Sequence, residues 1–394
     1  MLRPKSSDAG GRVEAREIGI IGAGVMGSEI AQVASASGLV VRLRDVDDKR
    51  IQQGRAHVAS ICARRVARGR MSQDTADAIL SRVHPAGSDE DLAHCDLVVE
   101  AVTEVMGVKT AVMSAVDRVL GPSAILASNT SGLSITEIGR STRRADRVVG
   151  MHFFNPASVM ALVEVVRGED TSDETLQATI GMARVFGKHP VVVKECPGFL
   201  VNRMLCRGLA EAYRAAERLG ADAPAVDAAV VARGPSPMGP YALGDLVGID
   251  TLAHVFGDLT NAYGERFTDD GVARRMVEAG RLGAKSGGGF VLDPSAETTP
   301  DETANEIAEH YYLAIFDEAC RCLEEGISAA CDVNVSMVLG TGWAIGPLAW
   351  ADEVGPEALR TRLAGLARRS GDRFAPRAPL LHRLASGTFE SDPQ

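Results

Sequence analysis

The stretch HFFNPASVMALVEVV, residues 152–166, sets one histidine and one glutamate into an otherwise apolar run. Burying either alone is unfavourable, because an ionisable side chain loses its hydration. By itself His152 reads most plainly as a satisfied core histidine, and Glu164 as a structural ion-pair partner. Together they permit more. MHFF and ALVEVV bracket the turn signal NPAS, so two strands lying side by side, or ending near each other, would bring imidazole and carboxylate into contact. A carboxylate on one ring nitrogen fixes the tautomer and raises the basicity of the other. Such a pair suits a base that removes a proton from an alcohol while a cofactor takes its hydride, the glutamate staying ionised beside the imidazolium. Metal ligation is the rival chemistry for His152, but it needs three or four ligands, and no H-x-x-x-H or Cys/His cluster lies nearby. The G-x-S-x-G of a serine hydrolase is missing as well.

A second motif supplies the hydride acceptor. GAGVMG places Gly22, Gly24 and Gly27 in G-x-G-x-x-G spacing, with Val25 and Met26 opening the helix that follows. The motif follows a strand-like run, EIGII, and Asp45 stands at the tip of the next one. Gly22 permits the tight turn, Gly24 the approach of a pyrophosphate, and Gly27 close packing of helix on strand. The helix N-terminus then offers N–H groups and a positive dipole end to the phosphates. Asp45 would accept from the adenosine ribose hydroxyls and repel a 2′-phosphate, which favours NAD over NADP. Arg44 is the one residue that reads the other way, since it could reach towards a 2′-phosphate.

These residues need a scaffold. EIGII, a helical stretch VMGSEIAQVASASG and LVVRLRD form an opening βαβ unit. A long, Arg-rich helical stretch is expected over roughly 47–82. DLVVEAV (96–102), SAILASN (123–129), RVVGMHFF, ALVEVV and HPVVVK (189–194) read as further buried strands. Apolar runs alternating with helices imply an α/β, doubly wound parallel sheet covered on both faces. From about residue 197 the pattern is all-helical, beginning with LVNRMLCRGLAEAYRAAERLG. This part contains a repeat: Met238-Gly239-Pro240 aligns with Ile345-Gly346-Pro347, and Gly248 with Gly355, at one constant offset. The resulting organisation is a tail (1–16), an NAD-binding domain (17–196), a helical domain (197–294), a linker (295–304) and a second helical copy (305–394).

Bulk properties narrow the class. The 394 residues are 45% apolar and 24% charged, the profile of a soluble globular protein. A net charge of −10 argues against nucleic-acid binding, which needs basic clusters. Seven cysteines without a C-x-x-C pair give no disulfide or zinc pattern, and a reduced cytoplasm is the simplest compartment. No run approaches eighteen apolar residues, so no membrane span is expected. The polar start lacks the hydrophobic stretch of a secretory signal.

Two further polar residues stand out. Ser131, in SNTSGLSIT, follows a strand end, on the edge where such sheets bind ligands; a helix N-cap is its plainer role. Asn202, in CPGFLVNR, falls inside a predicted helix, where asparagine is a mediocre former.

Taken together, GAGVMG, Asp45, VVEAVTE, SNTSGLSIT, HFFNP, LVEVV, GKHPVVVKECPGFLVNR, MGPYALGDLVGID and GAKSGGGF resemble the L-3-hydroxyacyl-CoA dehydrogenase family, whose NAD-binding domain is Rossmann-type. The resemblance implies NAD-dependent oxidation of (S)-3-hydroxyacyl-CoA to 3-oxoacyl-CoA, with His152 as general base, Glu164 orienting it, and Ser131 and Asn202 bonding the substrate's 3-oxygen. Glu104, Lys109, Asn129, Asn155 and Lys285 match positions near the cofactor. Arg64, Arg65, Arg68 and Arg70, in ICARRVARGRMS, would meet the CoA phosphates; a solvated basic face is the alternative. The second helical copy resembles the duplicated domain of multifunctional fatty-acid oxidation proteins. It lacks the catalytic elements, with Glu309 where Asn202 would fall, and is expected to be structural. A tandem copy could cover in one chain the surface that short family members pair between subunits, so a monomer, or a homodimer through another surface, is expected. Other readings are a dehydrogenase of a free 3-hydroxy acid, sugar acid or carrier-bound acyl group, and a non-catalytic NAD sensor.

Overall fold

The computed structural model describes residues 17–291 and 298–371, with Phe374, Arg377, Pro379, Leu380, Arg383 and Phe389. The expected tail (1–16), residues 295–297 of the expected linker and most of the end of the second copy lie outside the described residues. The chain resolves into two compact units, Met1–Thr130 with Ser134–Pro190, and Ser131–Leu133 with Val191–Gln394.

In the first unit the chain runs β1 (Glu17–Ile21), α1 (Val25–Ala36), β2 (Val40–Arg44), α2 (Asp48–Ala67), α3 (Gln73–Leu80), β3 (Val83–Ala86), β4 (Leu97–Glu100), α4 (Met106–Asp117), β5 (Ile125–Ser128), α5 (Ile135–Arg140), β6 (Val148–Phe153), β7 (Leu162–Arg167) and α6 (Asp173–Val185), before β8 (His189–Lys194). The sheet order is β3-β2-β1-β4-β5-β6-β7-β8. β4, β5 and β6 are buried along their whole length, as expected of strands covered on both faces.

Three features depart from the sequence reading. The sheet is parallel from β3 through β6, but β7 runs antiparallel to β6. The short NPAS connection allows only a hairpin, since a parallel return needs a crossover of a dozen or more residues. The long helix expected over 47–82 is two helices. Gly69, at φ 66°, takes the left-handed conformation after α2, and the Ser72 hydroxyl caps α3 by accepting from the Thr75 amide at 3.1 Å. The four residues of β3 had no strand signature, because Pro85 interrupts them. They form the edge strand, where a proline removes no essential ladder bond.

The second unit is helical: α7 (Val201–Leu219), α8 (Ala223–Arg233), α9 (Pro240–Val247), α10 (Ile249–Tyr263), α11 (Val272–Glu278), α12 (Glu302–Glu324), α13 (Ala330–Thr341), α14 (Pro347–Val354) and α15 (Pro356–Ser370). α9 and α10 recur as α14 and α15 with identical lengths, and their polar fastenings recur too. The Asp227 carboxylate accepts from the Tyr241 and Ala242 amides, both at 2.8 Å, at the start of α9. Asn334 does the same for Leu348 and Ala349 of α14, at 2.9 and 3.3 Å. Asp245 accepts from the Phe290 amide, and its counterpart Asp352 from the Phe389 amide.

α7 packs on α12 about a local two-fold axis. Arg203 of α7 bonds Glu318 of α12 at 2.7 Å. Reciprocally His310, the counterpart of Arg203, faces Glu211, the counterpart of Glu318, at 3.8 Å. A Cβ on Gly208 would come within 2.6 Å of Ile315, its own counterpart. A residue that touches its counterpart lies on the axis, and reciprocal pairs flank it, which is the pattern of a symmetric dimer interface formed within one chain.

Candidate active site

The antiparallel register of β6 and β7 sets His152 directly opposite Glu164. The His152 Nδ1–H donates to Glu164 Oε2 at 2.7 Å, with the glutamate fully buried and the histidine 6% exposed. A carboxylate can only accept, so Nδ1 carries the proton and the acceptor lone pair of the ring is on Nε2. The Phe154 ring lies 4.6 Å from the imidazole and restricts its rotation.

A second network joins the ends of β4 and β5. Glu100, fully buried, accepts from the Val102 amide at 2.7 Å, the Ser128 hydroxyl at 2.6 Å and the Lys109 ammonium at 2.8 Å. Lys109 also pairs with Glu104 at 3.2 Å, and Glu104 accepts from the Thr130 hydroxyl at 2.6 Å. Asn129, between these two anchored residues, accepts from the Phe153 amide at 2.8 Å. The loop after β5 is therefore tied both to the carboxylates below it and to the strand carrying His152. Glu104, Lys109 and Asn129 were named from sequence; Glu100, Ser128 and Thr130 were not. The signal was an acid ending the buried run LVVE, where only a fully bonded carboxylate is tolerated.

The glycine turn lies between β1 and α1. Gly22 has φ 100°, and a Cβ on Gly27 would sit 1.7 Å from the Gly22 carbonyl, so both must be glycine. A Cβ on Gly24 would meet nothing, leaving the backbone there open to a ligand. Asp45 is fastened to the turn, accepting from the Ala23 amide at 2.7 Å through one oxygen and the Val46 amide at 2.7 Å through the other. Val25, the first residue of α1, and Val46 are 57% and 80% exposed, apolar surface suited to a flat ring. Arg44 is not poised for a 2′-phosphate: its guanidinium bonds Asp89 at 3.2 Å and the Asp45 carbonyl. These features fit NAD.

Of the basic patch, Arg64 closes α2 and bonds the Ser60 hydroxyl at 2.8 Å, while Arg68 and Arg70 are exposed beyond it. Asn155 is exposed in the β6–β7 connection.

In the helical unit, Asn202 Nδ2 donates to the Ser131 carbonyl at 3.4 Å. Asn202 is the second residue of α7, not an interior one, so its modest helix propensity costs little there. The left-handed Gly198 and Phe199 delay the helix until Val201. Ser131 is not a helix cap; Ser134 caps α5, accepting from the Glu137 amide at 3.0 Å. Lys285 pairs with Asp250, whose carboxyl it holds below the usual carboxylate range. A polar cleft of about 650 Å³ in this unit, lined by Arg214, Arg218, Glu265 and Asp270, contains none of these residues. Among the described residues no His/Cys/Asp/Glu group could hold a metal, and no helix is long and apolar enough to cross a membrane.

Residues 17–196 match the 3-hydroxyacyl-CoA dehydrogenase NAD-binding domain, and 198–293 and 307–389 match the C-terminal domain of the same enzymes. The chain belongs to the 3-hydroxyacyl-CoA dehydrogenase family. It is an oxidoreductase family, and its cofactor here is NAD. Both helical copies match the C-terminal family domain. The chain is 35% identical over 364 residues to the fatty acid oxidation complex subunit alpha of Acinetobacter baumannii (strain SDF), covering 85% of this chain and 50% of that protein. It thus spans about half the length of the curated relatives it matches. A 3-hydroxybutyryl-CoA dehydrogenase structure from Escherichia coli K12 superposes with a TM-score of 0.87 at 28% identity, covering 95% of this chain and 99% of that one. An (S)-3-hydroxybutyryl-CoA dehydrogenase structure from Ralstonia eutropha gives 0.68 at 39% identity, over 70% of this chain and 98% of the other.

Proposed function

We propose that the protein interconverts (S)-3-hydroxyacyl-CoA and 3-oxoacyl-CoA with NAD, and that His152 and Glu164 work as one acid–base unit. The observation that carries this reading is the 2.7 Å bond from Nδ1 to the buried carboxylate, which leaves Nε2 as the basic atom. Bound NAD would supply the hydride acceptor, held by the Gly22–Gly27 turn and Asp45. Nε2 takes the proton of the 3-hydroxyl, and Glu164 stabilises the resulting imidazolium without itself taking the proton. In the reverse direction the same nitrogen returns the proton. Ser131 and Asn202 are assigned to the substrate's 3-oxygen, Arg64 and Arg68 to the CoA phosphates, and Lys285 and Asn155 to the cofactor side. The second helical copy has no catalytic role: Glu309 stands in place of Asn202 and is engaged by Arg362 at 3.5 Å. The proposed partner is an acyl-CoA, and the intramolecular two-fold pairing favours a monomer.

The test is NADH oxidation with acetoacetyl-CoA. His152→Gln should lower kcat by roughly 10²- to 10⁴-fold, the usual size of a lost general base. Its NADH affinity should stay close to wild type. Wild-type turnover in this variant would remove the dyad from the mechanism.

A further inference from the structure

The hairpin connection between β6 and β7 is held by two charged side chains, the buried Glu29 and the half-buried Lys188. Glu29 lies on α1, the helix that opens at the glycine turn, and is only 5% exposed. One of its carboxylate oxygens accepts from the Ser158 amide at 2.8 Å, although the residues are far apart in sequence. The other faces His57 Nε2 of α2 at 4.0 Å. The Lys188 ammonium donates to the Met160 carbonyl at 2.7 Å and to the Ala157 carbonyl of the same connection. Burial lowers the affinity of Lys188 for its proton, and Glu29 opposes that. Within the connection the Pro156 carbonyl accepts from the Val159 and Met160 amides, both at 2.9 Å, so the segment is a compact turn, its Ser158 amide held by Glu29 and its Ala157 and Met160 carbonyls by Lys188. A buried carboxylate is costly unless it performs such a task, Lys188 is half-buried beside the same turn, and the mechanism above uses neither.

We infer that Glu29 and Lys188 are positioning residues that fix the β6–β7 turn to the cofactor-binding helix, and thereby fix His152 relative to the hydride acceptor. This rests on the dehydrogenase reading only for its kinetic consequence. The mechanical argument is independent. The turn sets the hairpin register, and the register sets His152 opposite Glu164. The same turn begins with Asn155. Glu29 is one helical turn from Val25 and Met26, so a shift of the turn against α1 is a shift of the base against the dinucleotide. A displacement of about 1 Å in such a site costs on the order of 10²-fold in rate.

The experiment compares Glu29→Ala, Glu29→Gln and Lys188→Met. Glutamine keeps an acceptor for the Ser158 amide; alanine does not. Glu29→Ala is expected to lower kcat with acetoacetyl-CoA roughly 10- to 100-fold, with the NADH dissociation constant and the KM for acetoacetyl-CoA within about threefold of wild type. Glu29→Gln should recover most of that loss, and Lys188→Met should resemble Glu29→Ala. Hydrogen exchange of the apo-protein gives a readout free of turnover: peptides spanning 154–161 should exchange faster in Glu29→Ala and Lys188→Met, with the sheet protected as before. Unchanged exchange in those peptides overturns the clamp. Faster exchange with unchanged kcat overturns its role in positioning His152. A variant that folds poorly and no longer binds NADH also counts against the inference, because the pair would then serve the whole unit. An inactive wild type with faster exchange in the variants would instead fail the proposed function and leave the clamp standing.

Discussion

Glu164→Gln isolates the electrostatic part of the dyad. The amide is nearly isosteric and keeps an oxygen that can accept from Nδ1–H, so the imidazole retains its tautomer and orientation. What disappears is the negative charge beside the imidazolium formed when Nε2 takes the substrate's proton. Glu164 is fully buried, so little solvent screens that pair. At an effective dielectric of about 20, opposite charges about 4 Å apart attract by about 4 kcal/mol. Mutational series put a bond to a charged group about 1–2 kcal/mol above a neutral one. A loss of roughly 2–4 kcal/mol, at 1.36 kcal/mol per tenfold, lowers kcat about 30- to 1,000-fold. Steady-state kinetics with acetoacetyl-CoA and NADH measure it, and fluorescence titration of NADH, expected unchanged, controls for folding. A kcat within threefold of wild type would mean that Glu164 only orients the ring, and the electrostatic argument would fail.

Neutralising Arg64 and Arg68 together should raise the KM for a CoA ester about fivefold, since exposed charge contacts contribute up to about 1 kcal/mol each, and should leave kcat on a small free 3-hydroxy acid unchanged. An unchanged KM for the CoA ester would remove these arginines from CoA binding and favour the free-acid reading. Stability should depend on His310. Its burial, against the pull of Glu211 and Glu306 and helped by Arg218 and Arg369, pushes the imidazole down to about 4. The unfolded side chain binds its proton near 6.5, so between these values the unfolded state holds more protons. Stability therefore falls as pH drops from about 6.5 towards 4. The urea midpoint should be lower at pH 5 than at pH 7.5, with a smaller difference in His310→Gln; an equal difference in both proteins would exclude His310 as the cause.

Local pattern was enough for much of this molecule. The glycine spacing before α1 implied the turn, because only glycine permits the backbone found at Gly22 and the contact at Gly27. The apolar runs implied buried strands, since nothing else accommodates LVVE or VVGMHF so fully. The repeat was legible because capping glycines and prolines keep fixed places at helix starts. Misreadings arose where local rules compete. Proline hid an edge strand, and one left-handed glycine divided a helix whose charge pattern ran on without a break.

The residue types fixed in advance which acids and bases were available and which cofactor turn they served. Tertiary structure alone decided who met whom. Hydrogen-bond register chose the partner of His152, and strand order brought Glu100 to Ser128 and, through it, to the loop carrying Asn129. Sequence spacing is one-dimensional, whereas a proton moves only across a contact of about 3 Å, and such contacts exist once the sheet has closed.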